Sequence, residues 1–211
     1  MKVEFHHEDK SVSSLLYEVS RSVHKDGLTL RELLEQLGER GLLVMSMVLT
    51  VPFLLPISIP GSSIPFGLII ALIGMGIITN KAPWLPNRLM NRRIAADKLI
   101  LMLEKGAHLF SRIEKRIHPR LLLLTHGMTI TRLNGILLVA SALLLMAPLP
   151  IPLSNMPPAY GILFLALGSM ERDGYFIIAG YVIVLATTLI FSLIGFLGVA
   201  GAENLLRSLW R

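Results

Sequence analysis

The chain has 211 residues, of which 53% are hydrophobic and 16% are charged, and its mean hydropathy is +0.65. A soluble domain carries about 25% charged residues, so this composition excludes an ordinary soluble protein and indicates an integral membrane protein. The net charge is +6, but no nucleic-acid recognition motif accompanies it, so we expect no nucleic-acid partner. The absence of cysteine excludes disulfides and thiolate metal sites.

Two short amphipathic helices are predicted in residues 1–40. Ser11 is in position to cap the first helix, whose apolar residues recur every three or four positions. Thr29 and Glu32 have the spacing of a capping box at the start of the second helix. We expect both helices to lie at the cytoplasmic surface of the membrane. This region is too charged for a signal peptide, so no cleavage is expected.

The first hairpin segment spans residues 41–80, and its apolar block covers residues 41–79. This block is too long for one membrane crossing, which takes about 20 residues. Prolines in its centre, among them Pro56 and Pro60, divide it because proline breaks helix interiors. Each arm of about 15 residues is about 22 Å long, less than a hydrocarbon core of about 30 Å. The block therefore predicts a helical hairpin. Re-entrant and short transmembrane hairpins both remain open.

Residues 81–120 separate the two apolar blocks and contain ten basic residues against three acidic ones. Such an excess of positive charge is typical of a cytoplasmic segment. Trp84, in the sequence KAPWLP, is expected to anchor the chain at the membrane interface. A basic amphipathic helix from about residue 87 to residue 118 is expected to lie in the headgroup plane. Anionic lipid is its expected partner, at about 1 kcal/mol per basic residue.

Residues 121–173 contain a second apolar block, which is also broken in its middle, by a proline-rich stretch that includes Pro150. Moving the first block along the chain by 94 residues places Gly67 on Gly161, Gly74 on Gly168 and Pro56 on Pro150 without a gap. We therefore predict two proline-broken hairpins that form an internal structural repeat. Paired discontinuous helices of this kind build the binding sites of many transporters.

The last apolar run, residues 175–202, is 28 residues long and predicts one tilted transmembrane helix within a C-terminal region of residues 174–211. Gly195, Gly198 and Gly201 give this helix a face of small residues, which favours close helix packing. Two hairpins and one long helix offer few partners to shield proline-freed backbone groups from lipid, so a homodimer is expected. The predicted fold class is an all-α integral membrane protein.

Polar residues and prolines at the two hairpin apices are the candidate substrate or ion-binding residues. They are Ser62, Ser63, Ser154, Asn155, Pro56, Pro60 and Pro150. The hydroxyl and amide groups either satisfy backbone groups that the prolines leave free or coordinate a substrate. Neither block contains an ionisable side chain, so a buried carboxylate relay is not expected within them.

Charged residues at the ends of the hairpins are candidates for a gate or for interfacial ion pairs. They are Glu39, Arg40, Arg132, Glu171, Arg172 and Asp173. Paired opposite charges at a hairpin mouth either control a pathway or fix the hairpin ends at the headgroups, and the sequence leaves both open. The histidines show no metal-ligand spacing, and no nucleophile or phosphate-loop motif is present. We therefore expect no catalytic residues, metal or cofactor, and no enzyme activity.

Several short segments, in order along the chain, carry a resemblance to a known family. They are LGERG (37–41), PGSSIPFG (60–67), PWLP (83–86), HPRL (118–121), PIPLSNMPPA (150–159) and ALGSMERDG (166–174). With them the sequence resembles the ExoD family of bacterial exopolysaccharide-synthesis proteins. The resemblance implies a multi-pass protein of the bacterial inner membrane that works with the exopolysaccharide machinery. Two roles follow as hypotheses: a small transporter or channel-like protein for an ion or envelope precursor, or a non-catalytic accessory protein.

Overall fold

A computed structural model describes residues 11–24, 27–54, 61–81, 83, 87–115, 117, 119–125, 127–147 and 153–209. Helices dominate these residues, as expected of an all-α membrane protein. The helices are α1 (Val12–Ser22), α2 (Leu30–Leu54), α3 (Ser63–Thr79), α4 (Asn87–Met90), α5 (Ala96–Glu114), α6 (Met128–Met146), α7 (Met156–Glu171) and α8 (Gly174–Leu209). Two short strands, β1 (Leu28–Thr29) and β2 (Arg93–Ile94), pair antiparallel, and a 3-10 turn covers Leu122–Leu124.

Both helix starts predicted near the N-terminus are confirmed. The backbone N–H of Ser14 donates to Oγ of Ser11 at 3.3 Å, so Ser11 caps α1. The N–H of Thr29 donates to Oε2 of Glu32 at 2.7 Å, and the N–H of Glu32 donates to Oγ1 of Thr29 at 3.2 Å. These reciprocal bonds form the expected capping box at the start of α2.

The surface helix expected before residue 41 and the first hairpin arm after it are joined in α2, with a sharp kink between them. Gly38 at the kink has φ 60° and ψ −143°, a backbone conformation that residues other than glycine rarely adopt. The N-terminal part of α2 therefore points in a different direction from the arm, although no loop separates the two. The arm beyond the kink, residues 39–54, is about 24 Å long at 1.5 Å per residue.

The prediction of one basic helix over residues 87–118 is wrong. The chain forms the short α4, then the strand β2, and the long helix begins only at Ala96 and ends at Glu114. The break arises from tertiary pairing, because Ile94 pairs with Leu28, and Leu30 N–H donates to the Arg92 carbonyl oxygen at 3.3 Å. This pairing holds the segment after α3 next to the start of α2, so the first hairpin begins and ends on the same side.

The four hairpin arms pack mainly across the two hairpins. Helix α3 packs against α6 and α2 packs against α7, while α8 covers α7 and part of α6. Fully buried side chains between these helices form the core, among them Ile70, Ile73, Leu138, Leu145, Ile162 and Leu165. The contacts between the hairpins therefore hold the bundle together more than the contacts within the first one.

The backbones of α3 and α6 approach closely at a pair of glycines. A Cβ atom on Gly74 would lie 3.2 Å from the carbonyl oxygen of Gly135, and a Cβ on Gly135 would lie 3.3 Å from that of Gly74. Both positions therefore favour glycine. Small residues at a helix crossing are the usual means of close packing in membranes, where apolar side chains gain little from leaving lipid.

In the part of the chain that the structure describes, three helices are long and apolar enough to cross a membrane: Leu30–Leu54, Met128–Met146 and Gly174–Leu197. A fourth apolar helix, Ser63–Thr79, is 17 residues long. The expected C-terminal apolar run is a single continuous helix, α8. These helices fit the expected helical membrane protein, and the choice between re-entrant arms and full crossings stays a prediction.

Candidate functional site at the hairpin mouths

The predicted apex residues fall at the starts of the second arms. Ser62 and Ser63 begin α3, and Ser154 and Asn155 precede α7. The side chains of Ser62 and Asn155 make no capping hydrogen bond to their helices, although both residues occupy N-cap positions. Pro56, Pro60, Pro150 and the anchor Trp84 lie outside the described residues. A shared apex site therefore stays a prediction.

The mouth of the second hairpin is closed by backbone hydrogen bonds around Asp173. Arg172 ends α7 in the left-handed conformation, with φ 55°, and the N–H of Asp173 donates to the Gly168 carbonyl oxygen at 3.0 Å. The Asp173 side chain is buried, and its Oδ1 accepts a hydrogen bond from the N–H of Tyr175 at 2.9 Å. Asp173 thus caps α8, so this member of the predicted gate has a structural role.

A strand-like segment before α6 is fixed to the same mouth. The N–H of Gly174 donates to the carbonyl oxygen of Arg120 at 2.8 Å, and the N–H of Arg120 donates to that of Arg172 at 3.3 Å. The guanidinium of Arg120 lies 5.8 Å from the centre of the Tyr175 ring, within cation–π range. The segment before the second hairpin is therefore hydrogen-bonded to the segment after it.

Four helices bring a group of charged and polar residues together at this end of the bundle. We call this group the junction cluster; it consists of Ser13 of α1, Arg40 of α2, Glu114 of α5 and Glu171 of α7. Both the N–H and the hydroxyl of Ser13 donate to the carboxylate of Glu114. Oε1 of Glu171 is buried, and no described residue hydrogen-bonds to it. Glu171 is the last residue of α7, so the cluster lies at the end of the helix arms.

The electrostatics of the junction cluster favour a proton on Glu171. The pKa of Glu171 is raised from 4.5 to about 7; burial is the largest cause, the negative charge of Glu114 contributes in the same direction, and the positive charge of Arg40 acts in the opposite direction. Burial disfavours the charged form of a carboxyl, and a nearby like charge adds to this effect. Glu171 is therefore a group that gains and loses a proton near neutral pH.

The remaining charged residues predicted at the mouths are divided between the interior and the surface. Glu39 is partly buried and directly precedes Arg40 in α2. Arg132 is exposed on α6 and forms no ion pair with another residue that the structure describes. The structure thus brings Arg40 and Glu171 together, and Arg132 is not among the charges that shift the pKa of Glu171.

A buried hydrogen-bond network, which the sequence patterns did not predict, links the second hairpin to α8. Asn134 of α6 is buried, and its Nδ2 donates to Oγ of Ser169 in α7 at 3.2 Å. The hydroxyl of Tyr181 in α8 donates to Oδ1 of Asn134 at 2.6 Å. We call these three residues the Asn134 network. An asparagine in an otherwise apolar block was the signal available in the sequence, since a buried amide needs partners.

Other buried hydroxyl groups in the bundle bond within their own helices. Ser46 donates to the Leu42 carbonyl oxygen at 3.0 Å, and Ser141 donates to that of Leu137 at 2.9 Å. Such bonds satisfy the hydroxyl without a partner helix. Among the described residues no group of three or more His, Asp or Glu side chains is placed to hold a metal ion.

These features define a class of protein: an all-α protein whose long apolar helices fit a membrane protein. The family model described as Exopolysaccharide synthesis, ExoD, matches residues 12–193, so the chain belongs to the ExoD family. Protein ExoD of Rhizobium meliloti (strain 1021) is 43% identical over 206 residues, which cover 97% of this chain and 86% of that protein.

A second similar protein has no assigned activity. An uncharacterized protein of Synechocystis sp. (strain ATCC 27184 / PCC 6803 / Kazusa) is 31% identical over 140 residues, which cover 66% of this chain and 65% of that protein. No solved structure matches the chain. The family assignment therefore rests on sequence, and the fold described above adds the geometry.

Proposed function

We propose that this protein serves exopolysaccharide synthesis in the bacterial inner membrane as a non-catalytic, multi-pass accessory protein of the synthesis machinery. Membership of the ExoD family supports the process, and the 43% identity to Protein ExoD supports it over nearly the whole chain. The Asn134 network is the observation that carries the accessory role. Its amide and hydroxyl groups bond to one another across three helices and so hold the bundle together.

The packing of the bundle gives this proposal its physical basis. Ser46 and Ser141 bond their own helices, and Asn134 bonds to two neighbouring helices, so these polar groups stabilise the protein itself. A hydrogen-bonded amide between helices is worth about 1 kcal/mol in a membrane. A stable helical unit with two mouths on one side suits a protein that positions partners at the membrane surface.

A second candidate function is proton-linked transport, and one observation favours it. Glu171 has a pKa raised to about 7, lies where four helices meet, and has a buried carboxylate oxygen to which no described residue bonds. Ionisable groups at such positions are common in proton-coupled transporters. The transported species under this hypothesis is an ion or an envelope precursor.

One complementation experiment separates the two candidates. A strain that lacks the gene is complemented with the wild type, with Glu171→Gln, or with Glu104→Gln, which changes an exposed glutamate of α5 as the matched control. Exopolysaccharide output is measured per unit of protein in the membrane. The accessory role predicts equal output per copy for all three chains. Lost output at normal abundance in Glu171→Gln alone would contradict it and support proton-linked transport.

The internal repeat is also part of the proposal. The packing between the hairpins supports the repeat. In a repeat, α2 corresponds to α6 and α3 corresponds to α7, so the contact of α2 with α7 corresponds to the contact of α6 with α3, and both contacts are present. The left-handed residues Asn80 and Arg172 end α3 and α7 in the same way, although they lie 92 rather than 94 residues apart and so fall two positions outside the sequence register of the repeat. An experimental structure in which the two hairpins do not superpose would remove it.

A homodimer through α8 completes the proposal. Gly195 has no other atom within 4 Å of the position of a Cβ, and Leu193 and Phe196 beside it are exposed. An open glycine among exposed apolar residues lets a second helix approach closely. A detergent-corrected mass equal to one chain, in several mild detergents, would argue against the dimer.

A further inference from the structure

Helix α5 has one apolar face that is already occupied. Leu99, Leu103, Ala107 and Phe110 are buried, at positions that step by three or four residues, and α5 packs against α1. A Cβ atom on Gly106 would lie 3.5 Å from the Leu16 side chain, which is ordinary contact distance. This face of α5 therefore holds α1 and is not available to the membrane.

A second face of α5 is exposed and carries apolar and basic residues in alternation. We call it the α5 stripe; its members in order are Lys98, Met102, Lys105, Leu109 and Arg112. The spacing of four, three, four and three residues places each next to the one before it on the helix surface. Met102 is 63% exposed and Leu109 is 56% exposed, and the three basic residues are exposed as well.

The acidic residues of α5 lie away from this stripe. Asp97 lies about 100° around the helix axis from Lys98, and Glu104 lies about 100° from Lys105. Both acidic residues are therefore on the side of the helix away from Met102 and Leu109. The exposed surface of α5 is thus divided into a basic, partly apolar part and an acidic part. This separation of charge gives the helix one side that attracts anions.

We propose that the α5 stripe binds the anionic surface of the lipid bilayer in which the protein is embedded. Its charge is complementary to that of acidic phospholipids, and its two exposed apolar side chains suit the boundary between headgroups and acyl chains. Lysine and arginine have apolar stems that lie along such a boundary while their charges reach the phosphates. A second copy of the same stripe would be repelled, and a soluble polyanion would leave Met102 and Leu109 in water.

The chain contains no cysteine, so single labels test this proposal directly on the full-length protein. Met102→Cys carries a fluorophore on the stripe, and Glu104→Cys carries it on the acidic side of the same helix as the control. The protein is placed in nanodiscs of phosphatidylcholine alone or mixed with phosphatidylglycerol, with a nitroxide quencher attached to lipid. We expect strong quenching at position 102, weak quenching at position 104, and a decrease at position 102 in high salt, which screens the charges.

Charge reversal on a chain labelled at position 102 provides the second measurement. Lys105→Glu is expected to lower lipid contact in the phosphatidylglycerol discs by more than about fivefold, because the loss of one basic residue alone corresponds to about 1 kcal/mol at an anionic surface and the new negative charge adds repulsion. Lys115→Glu, an exposed residue off the stripe, is the matched control and is expected to leave the quenching unchanged.

Two results would overturn the proposal. Equal lipid quenching at positions 102 and 104 would show that the stripe does not face the bilayer. Absence of lipid quenching at position 102, with protection from a water-soluble quencher when heparin is added, would assign the stripe to a soluble polyanion. Both results are independent of whether the protein is an accessory protein or a transporter.

Discussion

The two helical hairpins have similar left-handed backbone residues at the ends of their second arms, but these arms pack against different helices. Each second arm follows a residue in the left-handed conformation, Gly61 before α3 and Leu153 before α7, and each ends in another, Asn80 and Arg172. Gly74 of α3 faces α6, however, whereas a Cβ on Gly168, at the aligned position of α7, would meet α8. Position in the proposed repeat therefore does not decide the packing partner, because the additional helix α8 packs against the second hairpin.

The mouths of the two hairpins differ as well. The first hairpin ends at Asn80 and Lys81, with Lys81 N–H donating to the Gly76 carbonyl oxygen at 3.0 Å. The second mouth has a similar backbone turn but adds the buried Asp173, the junction cluster and the Asn134 network. The candidate site is thus concentrated on the hairpin that α8 covers, and substitutions at matched positions test this difference.

Substitution of the aligned glycines is expected to give the largest effect. In Gly168→Ala the new Cβ would lie 2.7 Å from the backbone nitrogen of Ile177, whereas in Gly74→Ala its nearest neighbour is a side-chain methyl group of Val139, at 2.6 Å. Backbone moves less easily than a side-chain end, so we expect a loss of about 3 kcal/mol for Gly168→Ala and about 1 kcal/mol for Gly74→Ala.

The free energy of unfolding, measured by denaturant titration in mild detergent, checks this order. Gly106→Ala is the matched control, because its new Cβ would lie at an ordinary contact distance of 3.5 Å from the Leu16 side chain and alanine favours a helix. Equal losses for Gly74→Ala and Gly168→Ala would show that α8 does not distinguish the two hairpins.

Removal of the buried amide is expected to give an intermediate effect. Asn134→Leu leaves the hydroxyl groups of Ser169 and Tyr181 without their partner inside the bundle, at a cost of about 2 kcal/mol. Ser46→Ala, in the first hairpin, removes a bond within one helix and should cost about 0.5 kcal/mol. The same titration measures both, and a larger loss for Ser46→Ala would contradict the assignment of the polar network to the second hairpin.

The pH dependence of stability is expected to give the smallest effect. Folding raises the pKa of Glu171 from 4.5 to about 7, so the folded state binds its proton more tightly than the unfolded state. This contribution is complete below pH 4.5 and is lost as the pH rises to about 7. Because Glu171 is only partly buried, we expect the loss to be about 1 kcal/mol, after allowing for solvent screening.

Unfolding curves between pH 4 and pH 8 for the wild type and Glu171→Gln provide the measurement, since glutamine stays neutral throughout. The variant should lack the decline between pH 4.5 and pH 7 and be the more stable chain at pH 8. Glu104→Gln, at an exposed site, should keep the wild-type decline. A decline that persists in Glu171→Gln would assign it to another group.

Local features of the fold were predictable because they depend on neighbouring residues. Ser11 and the Thr29–Glu32 pair mark helix starts through bonds that span only three residues. The start and end of α3 and the single long α8 follow from the lengths of the apolar runs. The interruption of the basic helix was not predictable from the pattern, because β2 forms by pairing with a strand far away in sequence.

The sequence by itself determined a helical membrane protein with two broken apolar blocks, since hydropathy and proline act on each segment separately. Only the tertiary structure decided which faces meet. Glu114 and Glu171 are brought together from α5 and α7, and Asn134 meets Tyr181 from α6 and α8. These contacts depend on how whole helices pack, and in a membrane that packing is set by close backbone approach and interhelical hydrogen bonds, which hydropathy does not encode.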